Sequence, residues 1–270
     1  PAPPTPPAPT AAERTAALRA TFPAPSAEKG WRLDAEIRLQ GTPFGNARFE
    51  LRPTEGADGA KTWHVLETSR VHSGLQAKVL STEATLAADL ALLRMERRRG
   101  EEGGETEVLR VERVGAGFAL ERVAKAGVAP ATSVVPGDRS TTSTLAALFQ
   151  LARLCPAEPA TYELPVLLGD DGGIAAGRIE VKGPARLEAE GAARDSWLVV
   201  ATLGPDLVFE LHLDPKDRTP LAVIQSRSGL VMIAKGLAKE PDAPPLDTAG
   251  PARSPEEAGA RFAIGLLCGD

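Results

Sequence analysis

Aromatic side chains are scarce in this 270-residue chain, at 4% of its residues, and cysteine (two), methionine (two) and histidine (three) are scarcer still. With so few aromatics, the interior must be packed by Leu, Val, Ile and Ala, which supply most of a hydrophobic content of 43%. Two thiols, Cys155 and Cys268, cannot build a disulfide framework or a cysteine zinc site. One bridge between them and two separate packed thiols both stay open. No run of about 18 apolar residues occurs, which excludes a membrane-spanning helix. A net positive charge is also missing. The formal balance of -5 leaves no basic surface to neutralise the phosphates of a nucleic acid. The chain opens without a Met and without a signal-peptide core, which reads as a processed or trimmed start.

Proline (24) and glycine (26) are plentiful, and arginine outnumbers lysine, a bias of high-G+C bacterial coding. The opening PAPPTPPAPT cannot form a core and favours an extended polyproline conformation, so it reads as a tether or as a terminus with no role. Thr10 and Glu13 have capping-box spacing ahead of AAERTAALRA, which predicts a short helix stopped by Pro23 and Pro25.

From Trp31 the period changes to two. WRLDAEIRLQG places Trp31, Leu33, Ala35, Ile37 and Leu39 on one face and charged residues on the other, the pattern of a half-buried strand. GNARFELR repeats it with Ala47, Phe49 and Leu51, after a turn marked by Gly41 and Pro43. GADG (56–59) predicts a hairpin. KTWHVLETSRVHSG gives another strand, LQAKVLSTEATLAADLALLRMERRR gives two, and EVLRVERV and FALERVAKAG finish a meander. Next, STTSTLAALFQLARLCP sets Leu145, Leu148, Phe149 and Ala152 at helical spacing behind a Ser/Thr cap, so a central helix is expected over 141–154. A second β half follows, with TYELPVLL, a GDDGG turn, GRIEVKG, ARLEAEG, SWLVVATL, LVFELHLD, a DPKD turn and TPLAVIQSRSGLVMIAKGL. KEPDAPPLDTAGPAR reads as a linker. Ser254, Pro255 and Glu257 then open a final helix, SPEEAGARFAIGLLCGD. The expected division is 1–25, tether and short helix; 26–240, the β domain with its central helix; and 241–270, linker and C-terminal helix.

The order of these elements resembles an uncharacterised bacterial envelope family, domain of unknown function 3108, and more remotely the half-barrel of periplasmic lipoprotein carriers. The residues that carry the likeness are Gly45-Asn46-Ala47-Arg48-Phe49, Leu145-Ala146-Ala147-Leu148, Tyr162-Glu163-Leu164-Pro165-Val166, Gly177-Arg178-Ile179-Glu180-Val181 and Leu213-Asp214-Pro215 through Pro220-Leu221. It spans about residues 30–238. The resemblance implies a mainly β fold, a curved antiparallel sheet or half-barrel wrapping one central helix, with short terminal helices. It also implies export to the periplasm or cell envelope, and it brings no functional residue. The last seventeen residues are similar to the opening helix of a cone-shaped domain like nuclear transport factor 2, or form a tail packed back on the sheet.

Motifs for chemistry are mostly excluded by spacing. His64 and His72 share a face of one strand but stand roughly 26 Å apart at about 3.3 Å per residue, too far for one metal. Glu67 lies on the opposite face, and His212 belongs to another strand. Asp170-Asp171 lack the later glutamate of a calcium loop and suit a turn. There is no Gly-x-Ser-x-Gly elbow and no phosphate loop, and Gly115-Ala116-Gly117 lacks the third glycine of a dinucleotide site. Cys155 reads as a packed thiol. The run Arg94-Met95-Glu96-Arg97-Arg98-Arg99 reads as a solvated sheet edge or as an anion patch. No metal and no cofactor is expected.

Three functions stay in competition. The first is a binding module with an apolar cavity for a lipophilic small molecule, lined by Leu145, Leu148 and Phe149 of the helix and by Phe49, Trp197 and Phe209 of the strands, unless these simply pack as core. The second is a structural or protein-interaction module of the cell envelope. The third, an enzyme, would need a close carboxylate–histidine pair inside a cavity.

Overall fold

A computed structural model of the chain describes residues 8–56, 59–73, 76–124, 128–168, 173–189, 192–204 and 207–235. The tether over 1–7, residues 169–172 of the GDDGG turn, everything expected over 241–270, and Cys268 lie outside the described residues.

Among the described residues there are fourteen strands, most of them from the period-two stretches. The first meander holds β1 (Trp31–Leu39), β2 (Thr42–Glu55), β3 (Lys61–Ser73), β4 (Gln76–Leu86), β5 (Leu92–Glu101), β6 (Thr106–Val114), β7 (Gly117–Val123) and β8 (Ala131–Val135). The second holds β9 (Thr161–Leu168), β10 (Gly173–Ala189), β11 (Ala192–Leu203), β12 (Leu207–Leu213), β13 (Pro220–Gln225) and β14 (Leu230–Ala234). Every ladder is antiparallel. β14 returns to pair with β1, so the two meanders fuse into one sheet that is not closed, with β8 and β9 as its edges. The fold is therefore mainly β, as expected. Gln40 and Gly41, at φ 48° and 83°, supply the paired positive φ of a tight hairpin between β1 and β2.

The segment between the two edges is the helix. α2 (Leu145–Leu154) is apolar apart from Gln150 and Arg153, and Leu145 through Ala152 are buried without exception, which makes it a core helix. It starts four residues later than the expected 141. Thr144 is its cap, accepting from Ala147 N at 3.1 Å. Thr141 instead closes a turn, its N–H donating to Asp138 O at 3.0 Å, and Thr142 forms a β-bridge to Val166, an extended state that β-branched residues favour. Thr141 O accepts from Leu92 N at 2.7 Å, Thr142 N donates to Pro165 O, and Leu167 N donates to Thr142 O.

α1 (Ala11–Ala20) has the expected capping box, with Glu13 N donating to Thr10 Oγ1 and Thr10 N donating to the Glu13 carboxylate. It lies along β9. Arg14 Nε donates to Thr161 O and Glu163 N donates to Thr15 Oγ1, both at 2.9 Å. With Thr142 holding Pro165 and Leu167, one outward backbone group at each of Thr161, Glu163, Pro165 and Leu167 of β9 has a partner. One edge is thereby covered.

Three sequence expectations are corrected. The first meander does not finish at FALERVAKAG, since ATSVV adds β8; its short, mostly exposed run carries little alternation. GRIEVKG and ARLEAEG are one strand, β10, because a bulge at Gly183 (φ 93°) lets the strand bend through Pro184 instead of ending. The arginine-rich run is not an edge, because β5 lies between β4 and β6. Its charges split between faces and pair across strands, as Arg110 with Glu96 and Arg99 with Glu107.

Candidate functional site

The inner face of the sheet, turned toward α2, can be followed row by row through the registers. One row reads Leu33, Phe49, Glu67, Thr82, Arg97, Leu109 across β1 to β6. Three polar residues thus stand side by side in an otherwise apolar parity. On β3 the inward series is Trp63, Val65, Glu67, Ser69, Val71. Glu67 is the single acid in it.

Beside this row a cavity opens between the sheet and the N-terminal turn of α2. It offers about 70 Å³ to the centres of water molecules and about 840 Å³ of atom-free space when its open side is counted. A water needs roughly 10–15 Å³ of the former, so this is a void and not a packing defect. Its wall is mostly apolar. Ile37, Phe49, Val71 and Leu80 come from the first meander, Val166, Leu167, Leu203 and Phe209 from the second, and Leu145 and Leu148 from the helix. The polar wall consists of Glu67, Ser69, Thr82, Arg97, Ser143 and Thr144.

Glu67 reaches the start of α2, where its Oε1 accepts from Ala146 N at 2.7 Å. An acid there satisfies an orphan helix donor and meets the positive end of the helix dipole. Burial nevertheless pushes its carboxyl up to about 7, against the opposing pull of the Ala146 N–H, the Arg97 charge and the Leu145 N–H. Arg97 Nε points to Thr82 Oγ1 at 3.4 Å.

Four of the six residues proposed from sequence, Phe49, Leu145, Leu148 and Phe209, stand on this wall. The other two stand elsewhere. Phe149 packs edge-on against Trp31 with ring centroids 5.8 Å apart, at the middle of the helix. Trp197 lies beneath the Arg218 guanidinium, 3.7 Å from the ring centroid. Both are core-facing aromatics, and sequence alone does not distinguish core from cavity lining. The row Glu67–Thr82–Arg97 was missed, although it left a signal: an acid and an arginine placed on the buried parity of their strands.

The remaining reactive groups do not join this site. His64 pairs with Glu83 at 2.9 Å on the outer face. His212 Nδ1 lies 2.9 Å from Ser196 Oγ, and its Nε2 is 3.7 Å from the Glu210 carboxylate. That is a serine–histidine–carboxylate chain, but Ser196 is only 1% exposed and lines no described cavity. Burial lowers the His212 pKa, opposed by Glu210, so the ring is held neutral, with Nε2 buried beyond hydrogen-bond distance of Glu210. Cys155 is buried, and desolvation pushes its thiol up to about 12, which removes nucleophilic character. Among the described residues no cluster of three His, Cys, Asp or Glu side chains is placed to hold a metal.

No family model matches the chain, and no curated protein matches it. Among solved structures, it is similar to a beta-barrel-like protein of domain of unknown function DUF1849 from Brucella abortus, at 11% identity and a TM-score of 0.47 over 76% of this chain and 94% of that one.

Proposed function

We propose that this chain is a non-enzymatic binding domain that holds a lipophilic small molecule in the cavity beneath α2. The observation that supports it most is a mostly apolar void at the start of a buried helix, with its polar groups gathered on one side. The reading includes export to the bacterial envelope and the likeness to domain of unknown function 3108. Those two parts rest on composition and motif order.

The test is native mass spectrometry of the full chain extracted without detergent. A bound apolar mass is expected on the parent and absent from Ser69→Phe, which fills the cavity from β3, with the thermal transition of the variant retained. A parent that carries no such mass, and binds no hydrophobic fluorophore saturably, overturns the reading.

One observation favours a second reading, a structural or protein-interaction module of the envelope. Among the described residues no backbone hydrogen bond reaches the outer edge of β8, and Val134 on that strand is 73% exposed. An open, apolar edge strand can accept a partner strand. Pull-down from envelope extracts should then recover a partner with the parent and lose it with Val134→Lys; recovery by neither form counts against it.

A further inference from the structure

We infer that Glu67 is a proton-operated switch on this cavity: protonated, it leaves the void to a compact apolar guest, and ionised, it draws water in and expels that guest. This rests on the binding reading above and names the regulation of the same site.

The size of the void sets the kind of guest. About 70 Å³ is open to the centres of water molecules. That is room for on the order of five waters, at roughly 10–15 Å³ each. A void with apolar walls stays dry and takes up xenon or a small hydrocarbon, whereas a charged group on the wall has to be solvated.

The wall holds one group whose demand for water changes with pH. Several of its other polar atoms are already engaged with the protein. Thr144 Oγ1 accepts from Ala147 N at 3.1 Å, Ser143 Oγ donates to Met95 Sδ at 3.6 Å, and Thr82 Oγ1 accepts from Arg97 Nε at 3.4 Å. Arg97, from β5, is the only other charged residue on the wall, and its guanidinium keeps its charge at every ordinary pH. The remaining elements around the void, β1, β2, β4, α2, β9, β11, β12 and β14, present apolar or hydroxyl side chains to it. Glu67 is the exception. Its Oε1 accepts from Ala146 N at 2.7 Å, and the Leu145 N–H and the Arg97 charge add their pull. A carboxylate offers roughly four acceptor sites, which two N–H groups cannot fill, so the ionised form calls for water. The neutral acid costs far less to leave beside an apolar guest.

Water and guest compete for the same space, so proton and guest are linked. Each raises the affinity for the other by the same factor. The folded carboxyl titrates at about 7. Guest affinity is therefore full below that pH and falls about tenfold for each pH unit well above it.

The experiment is a xenon titration of the full chain, followed by xenon NMR at pH 6 and pH 8. The affinity of the parent should fall about tenfold between the two. Glu67→Gln, a neutral isostere, should bind equally at both. Ser69→Phe, which fills the void, should not bind at either. The reciprocal measurement is the Glu67 carboxyl carbon shift against pH, whose midpoint should move upward under xenon pressure. Equal affinity of the parent at the two pH values, or a pH dependence that persists in folded Glu67→Gln, overturns the switch and leaves the binding reading standing. Binding that survives Ser69→Phe places the guest elsewhere and overturns it too. If xenon binds at neither pH the switch falls, and the binding reading is then decided by the copurified mass alone.

Discussion

Glu67 is an acid set on the apolar parity of β3, and the groups facing it are Phe49 on β2, Thr82 on β4, Arg97 on β5 and the first N–H groups of α2. Its carboxyl titrates at about 7 when folded, against a reference near 4.5. Between those values the folded chain holds a proton that the unfolded chain has lost, so this group's contribution to stability declines as pH rises through that window. At about 1.4 kcal/mol per pH unit, and allowing for solvent that enters the cavity, the loss is on the order of 1–3 kcal/mol. Glu67→Gln keeps an oxygen for Ala146 N and removes the titration. It should be more stable than the parent near pH 8 and indistinguishable from it near pH 4, as read from melting temperature against pH. Coincident curves across the range would contradict the assignment. A second residue matters at the middle of the helix. The buried Gln150 Oε1 accepts from Trp31 Nε1 and from Arg153 Nη1, both at 2.9 Å. Gln150→Leu strands two donors at once and should lower stability by about 1–3 kcal/mol in urea titration. A midpoint equal to that of the parent would show that water replaces the amide.

Among the elements, α1 does a job that its own sequence does not advertise. The capping box Thr10–Glu13 was legible because it depends on residues three apart, and so were the turn at Gly41 and the alternation of β1 to β3, although Pro43, read as part of that turn, stands in β2. What the helix covers was not legible, since Arg14 and Thr15 meet Thr161 and Glu163 nearly 150 positions away, at separations of 147 and 148. The same limit hid the pairing of Thr142 with β9, which removes the first four residues from the expected helix. The candidate site divides in the same way. The apolar wall was half visible through Phe49, Leu145, Leu148 and Phe209. Its polar row was not, because Glu67, Thr82 and Arg97 become neighbours only through the registers of β3, β4 and β5. The edge-covering role of α1 can be tested by hydrogen exchange. In Arg14→Ala/Thr15→Ala the amide of Glu163 should exchange faster, while that of Leu167, held by Thr142 O at 2.8 Å, should stay protected. Unchanged protection at Glu163 would mean that α1 rests on β9 without closing its edge. A second element-scale test concerns β2 and β3. A Cβ on Gly45 would sit 2.1 Å from Arg70 O, so Gly45→Ala must push the strands apart and should cost about 1–3 kcal/mol in stability.

For the whole molecule, the topology makes α2 more than a filler. The two meanders are joined by the β1–β14 ladder and by the helix that lies between them in the chain, which touches β2 and β3 on one side and β12 on the other. Each meander alone would expose an apolar inner face, and one core cluster runs from Trp31 through α2 to Met232. Removing volume from the shared helix should therefore weaken both halves together. Leu148 is buried and borders the cavity. Leu148→Ala enlarges an existing void and should cost about 2–5 kcal/mol. The loss should appear as one cooperative transition at a lower urea midpoint, with native-state exchange rising in parallel in β3–β5 and in β10–β12. If only one set of strands lost protection, the meanders would be separable units that merely share a ladder. The cavity would then belong to one of them and not to their junction, and a ligand seated there would stabilise that unit alone. Parallel loss would place ligand binding and global stability on the same helix, so that filling the cavity should raise the melting temperature of the entire chain.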